Sequence, residues 1–255
     1  MTALPPLELP VVLLIAAAGF VAGVQNALAG GGSFITFPAL LLAGLNPLAA
    51  NITSTIAMFP SQLTSAVAGH KLVDDVGPLS FKQMFLISMV GGVLGALLLL
   101  STPPTFFAKV VPWLVLFATS VFAWGTFRKK PLHAAGAMPL PLLVGVQSCI
   151  AVYGGYFGGG IGFLMLAALT IAGMKVRAAT ATKNVLAATM NAAATLIFAF
   201  SSMISWPAAF ALAAGGIGGG VCGAWLIHRL PERIMRGFVV LIGALLTVWM
   251  FVRQG

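Results

Sequence analysis

The sequence predicts an all-α integral membrane protein: an inverted repeat of two five-segment helical halves, with broken or re-entrant helices at two glycine triples. Three observations predict it. Of 255 residues, 60% are hydrophobic and 7% charged, with mean hydropathy +1.08, against roughly 25% charged in an average soluble domain. Long apolar runs follow one another, separated by prolines, asparagines and basic residues. Finally, a unit in the first half, AGGGSFITFPALLLAGLNPLAANITSTIAMFP (Ala29 to Pro60), returns in the second as FGGGIGFLMLAALTIAGMKVRAATATKNVLAATMN (Phe157 to Asn191).

A soluble core of this size could not hide so much apolar surface, and a backbone facing lipid must satisfy its own hydrogen bonds, which selects helices. The runs are continuous rather than alternating, which excludes a β-barrel. The net charge of +9 does not indicate nucleic acid, because the basic residues sit at the ends of apolar runs, where they orient a membrane protein. Cys149 and Cys222 lie in apolar runs without metal-ligand spacing and read as packing residues. No metal or cofactor is expected.

Taken in order, the opening MTALPPLELP has an acid and no base, unlike a signal peptide's positive n-region, so Val11 to Ala29 reads as a retained first segment. Ser33 to Leu45 is only about half of the ~20 residues a crossing needs. Asn46-Pro47 breaks it and starts Pro47 to His70. Leu79 to Ser101 and Phe106 to Phe127 complete the first repeat, residues 1–127. The linker 128–139, RKKPLHAAGAMP, divides it from the second, 140–255. That repeat holds Leu140 to Phe157, Gly162 to Gly173, Arg177 to Phe200, Pro207 to Ile227 and Ile234 to Val252.

Placing the linker in the cytoplasm also puts Lys71, Lys82, Lys175, Arg177, Arg229, Arg233 and Arg236 at cytoplasmic ends and leaves Lys109 and Arg253 outside, as the positive-inside rule requires. Five segments per half then force opposite orientations on the copies and put both termini outside. Whether segments one and two, or six and seven, cross fully or form hairpins stays open. Inverted repeats that meet at interrupted helices are a common plan of secondary transporters.

Gly44 and Gly173 are 129 apart, a spacing that sets Asn51 against Thr180, Thr53 against Thr182, Ser54 against Lys183 and Thr55 against Asn184. Glycines also serve close helix packing, and that suffices for Gly91-Gly92 and Gly218 to Gly220. The triples Gly30, Gly31, Gly32 (followed by Ser33) and Gly158, Gly159, Gly160 differ, because each precedes a short apolar segment at a matching repeat position. Unwound backbone there would present free N–H groups and a positive helix end near mid-membrane, which makes an anion site.

Lys183 lies inside the run Ala178 to Phe200. A base at such depth costs roughly 2.5–3.5 kcal/mol on insertion scales and faces a cavity or a partner, unless its stem snorkels to water. The four acids lie elsewhere: Glu8, Asp74, Asp75 and Glu232. An anionic ligand is therefore expected, with Asn51, Thr53, Ser54, Thr55, Thr180, Thr182 and Asn184 supplying donors, although each hydroxyl could equally bond its own helix. Gln25, Asn26, Gln147, Tyr156 and Asn191 are weaker candidates for lining the route. His70 reads as interfacial. No His/Asp/Glu cluster lies at depth for acid–base work, and there is no GxxxxGK[ST] phosphate loop, so neither an intramembrane enzyme nor an ATP-driven pump is expected.

The two quoted stretches, with two copies of GGG, a short apolar run and an Ala/Thr/Ser-rich helix, resemble the TauE/SafE family of sulfite and organosulfonate exporters. The resemblance implies secondary transport, most naturally export, of small sulfur-containing anions such as sulfite or sulfoacetate across the bacterial inner membrane. An anion channel, or a carrier of another small organic anion, remains the alternative. The partners expected are a small anion and the lipid bilayer, with a homodimer as an open assembly and no nucleic acid.

Overall fold

The computed structural model describes residues 8–28, 31–127, 138–226 and 232–254. Among these it holds ten α-helices: α1 Leu9–Leu28, α2 Ser33–Leu42, α3 Pro47–Gly69, α4 Phe81–Ser101, α5 Pro104–Phe127, α6 Leu140–Tyr156, α7 Ile161–Ile171, α8 Val176–Phe198, α9 Trp206–Leu226 and α10 Glu232–Gln254. A 3₁₀ turn, His70–Leu72, closes α3, and the described residues contain no strand beyond an isolated bridge between Val76 and Leu79. Each expected segment coincides with a helix. The largest boundary shift is at α2, expected to reach Leu45 but ending at Leu42.

That ending has a local cause, repeated in the second half. The N–H of Leu45 bonds back to Leu40 O and that of Gly44 to Leu41 O, while Met174 N bonds to Leu169 O and Gly173 N to Thr170 O. Such a closing turn needs a left-handed residue after the helix, and Gly44 and Gly173 supply it at φ 88° and 98°. Asn46 then caps α3, accepting from Ala49 N at 2.9 Å, with Pro47 in the first turn. Ser80 and Gln83 form a capping box at the start of α4. With 10 and 11 residues, α2 and α7 rise only about 15–16 Å, half of the ~30 Å hydrocarbon core.

Small residues let the long helices pack closely. A methyl added to Gly19 or Gly23 of α1 would run into the carbonyl oxygens of Leu212 and Gly216 on α9, and one on Gly215 or Gly219 into those of Ala16 and Phe20. The α4–α6 pair is built the same way, with Gly95 against Val152 O and Gly155 against Gly92 O. Gly91 and Gly92 meet Ala151 and Met190, the packing role expected of them. α1–α9 and α4–α6 are the most extensive pairs, and α3 also packs on α8 and α9, α4 on α8, and α5 on α10. Advancing every helix number by five turns α1–α9 into α6–α4 and α3–α9 into α8–α4, and returns α3–α8 and α5–α10 to themselves.

Among the described residues four helices are long and apolar enough to cross a membrane, with spans Leu9–Asn26, Phe81–Ser101, Pro104–Gly125 and Trp206–Gly223. Large apolar side chains such as Leu13, Leu86, Leu94, Phe106, Trp113 and Phe210 point outward, an apolar exterior that suits lipid rather than water. Cys149, expected to pack, is exposed on this outer surface. Inside, Leu40, Leu48, Ile52, Phe107 and Phe198 are fully or almost fully buried. They hold α2 and α3 against the bundle.

Candidate functional site

The chain is unwound at Gly31 and Gly32 before α2 and again from Phe157 to Gly160 between α6 and α7, and both breaks border the same space. Gly31, Gly158 and Gly160 have φ of 86°, 75° and 76°, a region in which any other residue would be strained. Side chains clasp each break. Asn26 Oδ1 accepts from Gly32 N at 2.8 Å, and Tyr153 Oη donates to Gly159 O at 2.8 Å. Asn51 of α3 donates to Tyr156 O at 3.1 Å, tying α3 to the second break. Gly30 lies outside the described residues.

Two chambers adjoin these breaks. The larger, about 100 Å³, is walled on α8 by Lys183, Asn184, Ala187 and Asn191, and by Gly31, Gly32, Asn26, Gly160 and Gly162 at the breaks. The smaller, about 20 Å³, is walled on α3 by Ser54, Thr55, Met58 and Gln62, with Asn51, Phe34, Phe37, Phe157 and Gly159. Ser33, Gln62, Gly158 and Asn191 border both. Four α3 residues of the smaller chamber, Ser54, Thr55, Met58 and Gln62, become the α8 residues of the larger on adding 129 to each number, whereas Asn51 maps to Thr180, which lines neither.

Lys183 is half-buried, and its Nζ lies 3.6 Å from where a side-chain carbon on Gly162 would stand. The ammonium is thus at the start of α7, whose N-cap Gly160 offers no side chain. Two positive ends, an ammonium and a helix N-terminus, face one polar cavity. Nearby, the Arg236 guanidinium lies 5.5 Å over the ring of Phe163, which lines the same chamber.

The smaller chamber is chemically different, because it is walled by hydroxyls and, among the described residues, carries no cation. Ser54 Oγ pairs with Thr36 Oγ1 at 2.6 Å, and Thr55 Oγ1 donates to Asn51 O on its own helix at 2.9 Å. Thr55 therefore takes the backbone-bonding alternative.

Several expected site residues lie elsewhere. Thr53 is buried and accepts from Ser205 N at 3.2 Å, while Thr182, its counterpart, accepts from Asp74 N at 3.2 Å. Each threonine holds the loop after the opposite repeat's long helix, because its hydroxyl points away from the chambers. Thr180 lines neither chamber. Gln25 is fully buried in α1, away from both. Gln147 donates to Ser88 Oγ at 2.8 Å, an interhelical bond between α6 and α4. Tyr156 contributes its carbonyl to Asn51, and its hydroxyl lies 3.4 Å from Thr102 Oγ1. His70 is exposed.

Gln62 escaped the sequence reading, as did Ser61, Ser65 and Thr36. The signal for Gln62 was available. It is the residue 129 before Asn191, and Asn191 Nδ2 donates to Gln62 Oε1.

Similar proteins carry the names of membrane transporters. A probable membrane transporter protein of Haemophilus influenzae is 30% identical over 246 residues, covering 93% of each chain. The probable membrane transporter protein YfcA of Escherichia coli is 26% identical over 244 residues, 95% of this chain and 89% of its own. A probable membrane transporter protein, ORF9, of a Sinorhizobium species is 29% identical over 236 residues, 91% and 88% of the two chains. No solved structure matches the chain. Residues 15–250 match the model of the sulfite exporter TauE/SafE family, and the chain belongs to that family of membrane transporters.

Proposed function

We propose that this transporter is a carrier that exports small sulfur-containing oxyanions, such as sulfite or sulfoacetate, across the bacterial inner membrane. The observation that carries the proposal is the convergence of Lys183 Nζ and the uncapped start of α7 on one polar chamber beside both glycine breaks. A tetrahedral or pyramidal oxyanion would take a charge-assisted bond from the ammonium, N–H donors from the helix start and the Asn184 amide, which together replace part of its hydration shell.

The halves are inverted repeats in this reading. Exchanging α1–α5 with α6–α10 keeps the most extensive helix pairings, as a two-fold axis in the membrane plane would require. α2 and α7 are then re-entrant half-helices that start at mid-membrane and end at opposite faces. With Lys175 and Arg177 at the start of α8 on the cytoplasmic side, the Lys183 chamber opens inward and the tighter Ser54 chamber lies outward. Substrate captured from the cytoplasm and released outside is the direction this arrangement favours.

Counterflow in vesicles containing the purified protein tests the proposal. Sulfite or sulfoacetate preloaded inside should accelerate uptake of the labelled anion, with saturation, and carboxylates of similar size should do so weakly. Flux that rises linearly with concentration and shows no counterflow would make the protein a channel. Carboxylates that outcompete every sulfur anion would overturn the substrate class.

A further inference from the structure

Gln62 and Asn191 stand 129 residues apart and are hydrogen-bonded to each other. The same spacing relates Gly44 to Gly173, which end α2 and α7 in the same way, and Thr53 to Thr182, which hold opposite loops. A residue can touch its own repeat counterpart only where the exchange axis passes, so the amide pair marks that axis. It also borders both chambers. The α8 wall leads from Lys183 through Ala187 to Asn191, and the α3 wall from Ser54 through Met58 to Gln62. The two ladders converge on this one bond.

We propose that the Gln62–Asn191 pair is the barrier between the chambers, and that an anion passes by replacing this bond with its own. The inference deepens the carrier reading above and rests on it. Neutral amides suit such a point. They carry no net charge to trap or repel an anion, yet each holds an NH₂ group that can donate to an oxyanion once the pair opens. Asn191 is 3% exposed, and a buried donor left without an acceptor is costly. The pair therefore stays shut when no ligand is present, and an entering oxyanion supplies the missing acceptor. A charged pair at this position would instead bind the anion too tightly or exclude it.

The test reads access across the barrier and needs no transport. In a protein with Cys149 and Cys222 replaced by serine, Ser54→Cys reports on the smaller chamber. The side from which Lys183→Cys reacts with the membrane-impermeant sulfonatoethyl methanethiosulfonate defines the side of reagent addition. From that side, Ser54→Cys should react slowly in the parent and roughly tenfold faster with Asn191→Leu or Gln62→Met, the change that ~1.4 kcal/mol of lost bonding produces. Neither substitution removes side-chain volume, so the gain would report the bond and not a hole. The double variant should react no faster than either single one, because one bond cannot be broken twice. The swapped pair Gln62→Asn with Asn191→Gln should restore slow labelling, and it keeps the proposal testable if an apolar variant fails to fold. Unchanged rates in both single variants, or single effects that multiply in the double, would overturn the proposal. Absence of sulfur-anion counterflow with this labelling pattern intact would instead count against the carrier reading.

Discussion

The Lys183 chamber and the Ser54 chamber are built on the same frame and behave as chemical opposites. Their α8 and α3 walls correspond at four positions, Lys183 to Ser54, Asn184 to Thr55, Ala187 to Met58 and Asn191 to Gln62. One chamber is about 100 Å³ and holds an ammonium beside a helix start. The other is about 20 Å³, and its hydroxyls are already spent on Thr36 and on the α3 backbone. Duplication supplies two related cavities. In the carrier reading proposed above, one departure among several, lysine where the copy has serine, decides which of them holds an anion. A strictly symmetric carrier would bind equally from either side, and this one should not.

The breaks are common to both chambers, so the largest effect is expected from closing them. Gly31→Val places a β-branched residue at φ 86°, with Phe122 Cε2 3.0 Å from its Cβ, and Gly159→Val drives its Cβ into the ring of Phe157. Each should abolish counterflow, while size-exclusion in detergent still shows folded protein. Normal transport by both variants would reduce the triples to packing elements and remove the basis for comparing the chambers.

Exchanging the two side chains sharpens the comparison. Lys183→Ser combined with Ser54→Lys moves the cation from one wall to the other, so the side of tighter half-saturation in sided vesicles should reverse, by roughly tenfold or more if one charge-assisted contact worth ~1.5–3 kcal/mol moves with it. If tight binding stays on the original side, that preference comes from cavity shape and not from the charge.

The smallest effect belongs to the threonines outside the chambers. Thr53→Val and Thr182→Val each remove a hydroxyl that accepts one loop N–H, which should cost about 0.5–1.5 kcal/mol of stability. Anion affinity should be unchanged in both. A matched loss in melting temperature with intact binding would keep Thr53 and Thr182 as loop anchors, whereas a change in affinity would return them to the site.

Much of this was legible in the sequence for a physical reason. Helix ends in a membrane chain are written in residue types that act locally: Asn46-Pro47 as cap and first turn, Ser80 with Gln83, and Gly44 and Gly173 in the left-handed region. Lys183 stood out because depth makes a base costly. Side-chain direction was harder. Thr53, Ser54 and Thr55 are consecutive, yet one anchors a loop, one bonds across to α2 and one bonds its own helix. Only the packing of three different neighbours separates them. Among the N–H groups expected to be free at the breaks, that of Gly32 is taken by Asn26 Oδ1 and that of Gly158 by Tyr153 O. Gln62 was missed because it looks like an ordinary polar residue near a helix end, and only the spacing of 129 to Asn191 marks it.

The most direct measurement is the affinity of purified Lys183→Met for sulfite or sulfoacetate, compared with the unaltered protein by calorimetry. Methionine keeps most of the stem and removes the charge, so folding should survive. Affinity should fall roughly 10- to 150-fold, the loss that follows from removing one charge-assisted contact of ~1.5–3 kcal/mol. Lys183→Arg should keep part of it, because the charge remains while the fork geometry differs. Unchanged affinity in Lys183→Met would contradict the account and leave the lysine as a snorkelling residue that takes no part in holding the anion.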